Sequence, residues 1–123
     1  MAVRQKKVSL TTDGSGDASE TIDPINGYLE RIVYTKTNFA ASVDFTITHE
    51  PTTEDLWNED NVTASKTVLP RQATHDGVGA ASLYAVGGEP VEDKIALCGE
   101  IKVVVANGGA AKSGVFHIFW KED

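Results

Sequence analysis

Val43-Asp44-Phe45-Thr46-Ile47-Thr48-His49 alternates without a break, setting Val43, Phe45 and Ile47 on one face and Asp44, Thr46 and Thr48 on the other. A period of two with β-branched side chains describes a strand half-buried against a core, because such side chains lose rotamer freedom in a helix and fit a pleated surface. The same pattern returns in Glu100-Ile101-Lys102-Val103-Val104-Val105 and in Val115-Phe116-His117-Ile118-Phe119-Trp120. Between them lies Asn107-Gly108-Gly109, whose residues tolerate positive φ, so the C-terminus reads as a hairpin. Upstream, Lys7 to Thr12, the turn Asp13-Gly14-Ser15-Gly16-Asp17 and Ala18 to Ile22 read as strand, turn and strand. Gly27 to Thr37 follows as a longer strand, making the N-terminal half a meander. Val62 to Leu69 is a further strand that stops at Pro70, which has no amide hydrogen to give a ladder. The stretch from Ala73 to Gly79 reads as an irregular loop, and Ala80 to Val86 fits a short helix or a strand equally.

About seven or eight short strands with no long amphipathic helix give an all-β fold: an antiparallel β-sandwich, jelly-roll-like or immunoglobulin-like in topology. The length of 123 residues suits a single domain over 1–123, and 41% apolar residues suffice for a buried core. Eleven Lys and Arg against eighteen Asp and Glu leave a net charge of -7, which disfavours nucleic acid as a partner. The charge is unevenly placed. Arg4, Lys6 and Lys7 make residues 1–7 a basic N-terminal arm, whereas Glu50 to Asp60 holds five acids and no Lys or Arg. These basic residues are interface candidates for an acidic neighbour.

Cys98 is the single cysteine, which excludes an intramolecular disulfide and a thiolate-clustered zinc site; in Ala96-Leu97-Cys98-Gly99 it reads as a small buried side chain. The residues after Met1, AVRQKKVSL, lack the apolar core of a signal peptide, and no run has the length of a membrane helix. Synthesis in the cytoplasm, without membrane association, is the expectation. No motif carries catalysis. Gly108-Gly109-Ala110-Ala111-Lys112-Ser113 departs from a phosphate-binding loop, with Ala111 where glycine is required and no helix to follow. Asp13, Ser15 and Asp17 lack the glycine placement and terminal Glu of a calcium loop, and His49, His75 and His117 have no metal-ligand spacing. No catalytic residue, cofactor or metal is therefore assigned.

Trp57 and Trp120 are the largest apolar side chains and belong either to the core or to a protein contact. Arg71, directly after Pro70, joins them as an interface candidate, because its planar fork suits carboxylates.

The run Tyr34-Thr35-Lys36-Thr37-Asn38-Phe39-Ala40 with the strand after it, Pro70-Arg71-Gln72-Ala73-Thr74-His75-Asp76, Ala85 to Val91, and Ile101 to Gly109 together resemble a group of small bacteriophage virion proteins. The similarity spans roughly residues 8 to 120. It implies a non-enzymatic structural protein similar to capsid decoration or cement proteins. Such proteins sit on the capsid exterior and brace neighbouring major capsid subunits. The implied partners are the major capsid protein and further copies of the chain, as a dimer or trimer. A head-tail connector or tail component is the alternative within that class, and a carbohydrate-binding adhesion module is the alternative outside it.

Overall fold

The computed structural model describes residues 2–75, 77–80, 82–83, 88 and 91–122. Among these residues the regular structure is all strand: β1 (Ala2–Thr11), β2 (Ala18–Lys36), β3 (Asp44–His49), β4 (Glu54–Glu59), β5 (Lys66–Val68), β6 (Arg71–Ala73), β7 (Glu92–Lys94), β8 (Ala96–Ala106) and β9 (Ser113–Glu122). Every pairing among these nine strands is antiparallel.

The pairings nest. β3 pairs β4, the second half of β2 pairs β5, the first half of β2 pairs β8, and β1 pairs β9. That is one long antiparallel ribbon whose outgoing side is β1, β2 and β3 and whose return side is β4, β5, β8 and β9. Rolling the ribbon up adds two contacts that nesting alone does not supply, β2 with β9 and β3 with β8, and both are present. The result is two layers, β1-β9-β2-β5 and β2-β8-β3-β4, with β2 running through both. Of the two sandwich topologies open to the sequence, this is the jelly roll.

β2 changes layers by means of two irregularities, one between Ile22 and Ile25 that accommodates Pro24 and one between Leu29 and Arg31. Between them Gly27 sits at φ 142°, where an added Cβ would lie 2.1 Å from the Lys121 carbonyl oxygen. What the sequence suggests as two strands is thus one strand of 19 residues.

The expected C-terminal hairpin is corrected. β8 and β9 lie on opposite sides of β2 and do not pair, so 107–112 is an arch between the layers. The same holds for β1 and β2, whose connection at 12–17 is also an arch rather than a meander turn. An arch and a hairpin loop use the same glycines and flanking alternation, and only the facing of the two apolar rows differs. The two arches brace each other. Thr12 N–H donates to the Lys112 carbonyl at 2.8 Å, Lys112 N–H donates to Thr12 Oγ1 at 2.9 Å, and Gly108 N–H donates to the Gly16 carbonyl at 2.9 Å. The Thr12 hydroxyl in turn donates to the Gly109 carbonyl. Asp13 acts as a turn carboxylate, accepting the amide hydrogens of Ser15 at 2.8 Å and Asp17 at 3.1 Å.

Between the layers, Val8, Leu10, Ile32, Tyr34, Phe116 and Ile118 from one side meet Ile22, Phe45, Ile47, Ile101, Val103 and Val105 from the other. Phe45 stands edge-on to Tyr34 at 4.6 Å and to Phe116 at 4.8 Å between ring centroids. Burial of each such side chain contributes about 1.5–3 kcal/mol, which makes this aromatic group a main source of stability.

The acidic segment also conceals a strand. In β4 the register slips between Ile47 and Thr48, so Trp57 faces Ile47 and Asp55 faces Thr48, with Leu56 as the extra residue. This bulge sends Leu56 and Trp57, adjacent in sequence, both into the core. The strand expected over Val62 to Leu69 shortens to β5. Val62 is instead a buried loop residue whose N–H donates to the Val43 carbonyl at 2.9 Å. Part of the expected 73–79 loop is ordered by β6, which pairs β7 as a small separate sheet. The helix-or-strand alternative at Ala80 to Val86 falls largely outside the described residues.

Candidate protein interface

Arg4, Lys6 and Lys7, expected in an arm, lie on β1 and are hydrogen-bonded into the sheet opposite Trp120, Ile118 and His117 of β9. All three are exposed. The body of the sandwich extends under Val8 and Leu10 and leaves residues 2–7 of β1 uncovered on both faces. Arg4 Nε lies 3.3 Å from Glu122 Oε2 in a solvent-exposed pair, a contact of small energetic weight.

The two tryptophans separate. Trp57 is 7% exposed, edge-on to Phe45 at 5.4 Å, and its indole N–H donates to Glu59 Oε1 at 3.1 Å. It is a core residue and offers almost no surface to a partner. Trp120 is only partly covered, packs at the margin of the core, and is the cross-strand neighbour of Arg4. Its indole N–H reaches Glu122 Oε1 at 3.5 Å, so Arg4 and Trp120 share one carboxylate.

Arg71 is partly exposed and uses one arm of its planar fork within the chain. Its Nη1 donates to the backbone carbonyls of Glu30 at 3.1 Å and Pro70 at 2.8 Å, which fastens β6 onto β2. Beside it the Glu30 carboxylate takes the Lys94 ammonium and, at 3.4 Å, that of Lys121. The Lys94 hydrogen bond, with support from Lys121, holds the Glu30 carboxyl below its ordinary range, and Glu30 raises Lys94 in return. A similar pair ties Glu59 to Lys66 at 2.7 Å, and Lys66 followed by the Trp57 indole lowers the Glu59 carboxyl.

Sequence reasoning missed a group on the outer face of the β1-β9-β2 layer. The Arg31 guanidinium lies over the Phe119 ring at 4.4 Å, His117 stacks on Phe119 with ring centroids 6.4 Å apart, and His117 Nδ1–H donates to Gln5 Oε1 at 3.1 Å. The signal was present in the alternation of 115–120, which turns His117 and Phe119 away from the core. The pairing with Arg31 comes from the β2–β9 register.

Cys98, expected to be buried, is exposed, because Leu97 takes the inward position of β8 at that point. His49 is buried as a staple: Cys98 N–H donates to its Nε2 at 3.2 Å, which leaves Nδ1–H to donate to Thr52 Oγ1 at 2.9 Å. Among the described residues no three His, Cys, Asp or Glu side chains gather as a metal site, and no helix is long and apolar enough to cross a membrane. Two surface depressions of about 550 and 470 Å³ are present. The first lies over Asp13, Asp17, Ser19 and Lys102, and the second over Asn26, Gly27, Tyr28 and Glu122.

Neither the protein-family models nor the curated proteins include a match to the chain. Among solved structures it is similar to a chain in the cryo-electron microscopy structure of the virus-like particle of extra small virus from the giant freshwater prawn Macrobrachium rosenbergii. The identity is 9% and the TM-score 0.36, over all of this chain and 82% of that one. A likeness so remote carries no weight for fold or function, and the jelly roll rests on the strand pairings alone.

Proposed function

We propose that the chain is a non-enzymatic structural protein of a bacteriophage virion, made in the host cytoplasm and carried on the capsid exterior. There it acts as a decoration or cement protein that braces neighbouring major capsid subunits. The observation that carries this reading is the nested ribbon of β1–β9, β2–β8, β2–β5 and β3–β4, the jelly-roll plan that recurs in viral shells. The plan also serves lectins and enzymes, so the sequence resemblance to phage virion proteins is what selects among its uses.

The mechanism is thermodynamic rather than catalytic. Surface buried between capsid subunits stabilises the assembled shell and not the free subunits, and a lattice of modest contacts multiplies through effective concentration. Arg4, Lys6, Lys7, Arg71 and Trp120 are the contact candidates that remain exposed or partly exposed, as a homo-oligomer or against the capsid protein. Particles assembled without the chain test the proposal. Adding purified protein should bind them saturably and raise the temperature at which they release their genome; unaltered release with no binding would refute the cement role. A position at a single vertex would move the reading to a connector or tail component.

One observation favours a second reading. Tyr28 is 45% exposed at the rim of the depression that also holds Asn26 and Glu122, an aromatic beside polar groups of the kind that receives a sugar ring. Binding on a glycan array that Tyr28→Ala abolishes would support a carbohydrate-binding module.

A further inference from the structure

The two ends of the sheet path are β1 and β4, and each pairs on one side only, β1 with β9 and β4 with β3. Both therefore present outward-facing backbone amides and carbonyls without a strand partner among the described residues. Unprotected edges invite pairing with another chain, and proteins usually guard them with charge. Here the guards have opposite sign. β1 carries Arg4, Lys6 and Lys7, and Lys6 and Lys7 have no ion pair among the described residues. β4 carries Glu54, Asp55 and Glu59 with no cation; Lys66 engages Glu59, while Glu54 and Asp55 stay exposed and without an ion pair.

Like charges oppose β1 against β1 and β4 against β4, and only the mixed pairing is attractive. The three cations of β1 are also set against a remainder holding eight cations and all eighteen acids, so the field of a second copy draws the basic strand in.

We propose that β1 of one copy adds edge to edge to β4 of the next, with Lys6 and Lys7 set against Glu54 and Asp55. The two edges are different surfaces, so the contact is head-to-tail and builds a closed ring or an open row. This deepens the shell reading by naming the contact between copies, yet it is measured without any particle, so either can fail alone.

Sedimentation velocity on the full chain, at low and at high salt, tests it. The wild type should self-associate and dissociate as salt rises. Lys6→Glu with Lys7→Glu makes both edges acidic, and Glu54→Lys with Asp55→Lys makes both basic; each variant alone should associate about tenfold more weakly. Mixing the two variants should restore association, because each then meets the complementary edge on the other, whereas damage to the fold cannot be repaired by mixing. A wild type monomeric throughout, a reversed variant that associates like the wild type, or a mixture no better than its parts would overturn the proposal.

Discussion

Tyr34 offers the most exacting test of the packing. Its side chain is fully buried, with Phe45 at 4.6 Å, Phe116 at 5.3 Å and Phe39 at 6.2 Å between centroids, and its hydroxyl has no hydrogen-bond partner among the described residues. An unpaired buried hydroxyl costs about 1–3 kcal/mol, and Tyr34→Phe removes it while keeping the ring and its contacts. Part of the gain is lost to the small void left behind, so the variant should be more stable by about 1 kcal/mol, equivalent to a rise in Tm of about 3–6 °C. Urea and thermal unfolding followed by circular dichroism measure this. Burial also raises the phenol above its ordinary value of 10.0, so the native state keeps a proton that the unfolded state sheds. Stability from this group is whole below that value and lost as pH rises above it, and the advantage of Tyr34→Phe should widen there. A variant less stable than wild type by about 1 kcal/mol would refute the reasoning, because the hydroxyl would then have a partner in solution.

Further outcomes follow from single positions. Ala111 sits at φ 53° in the arch between β8 and β9, so Ala111→Gly should stabilise by about 0.5–1 kcal/mol in the same unfolding assay. Gly27→Ala drives a methyl against the Lys121 carbonyl at 2.1 Å and should cost about 3 kcal/mol or more, read as a fall in Tm or loss of the folded fraction. Glu30, held below its ordinary 4.5 chiefly by Lys94, contributes stability above that value that is lost as pH falls through the lowered one. Glu30→Gln should therefore flatten the acid limb of the stability profile measured by urea unfolding at stepped pH.

How far the sequence reveals the structure depends on whether the signal is local. β3, β8 and β9 are legible because each alternates over its own length, and the facing of Phe45, Ile101 and Phe116 follows from that period. The arches are not legible, since Asn107-Gly108-Gly109 serves a hairpin as well as a crossing between layers. β4 is hidden because the bulge at Leu56 breaks the alternation that would reveal a strand among its acids. Trp57 and Trp120 look alike in sequence and differ only in whether the second layer covers them. Arg71 has the right chemistry for a partner, but the fold places two backbone carbonyls within its reach.

A cryo-electron microscopy map of the intact particle tests the proposed decoration role. Jelly-roll density for this chain is expected on the outside of the shell, repeated over the icosahedral surface at the junctions between major capsid subunits. Particles whose surface lacks that density would contradict it.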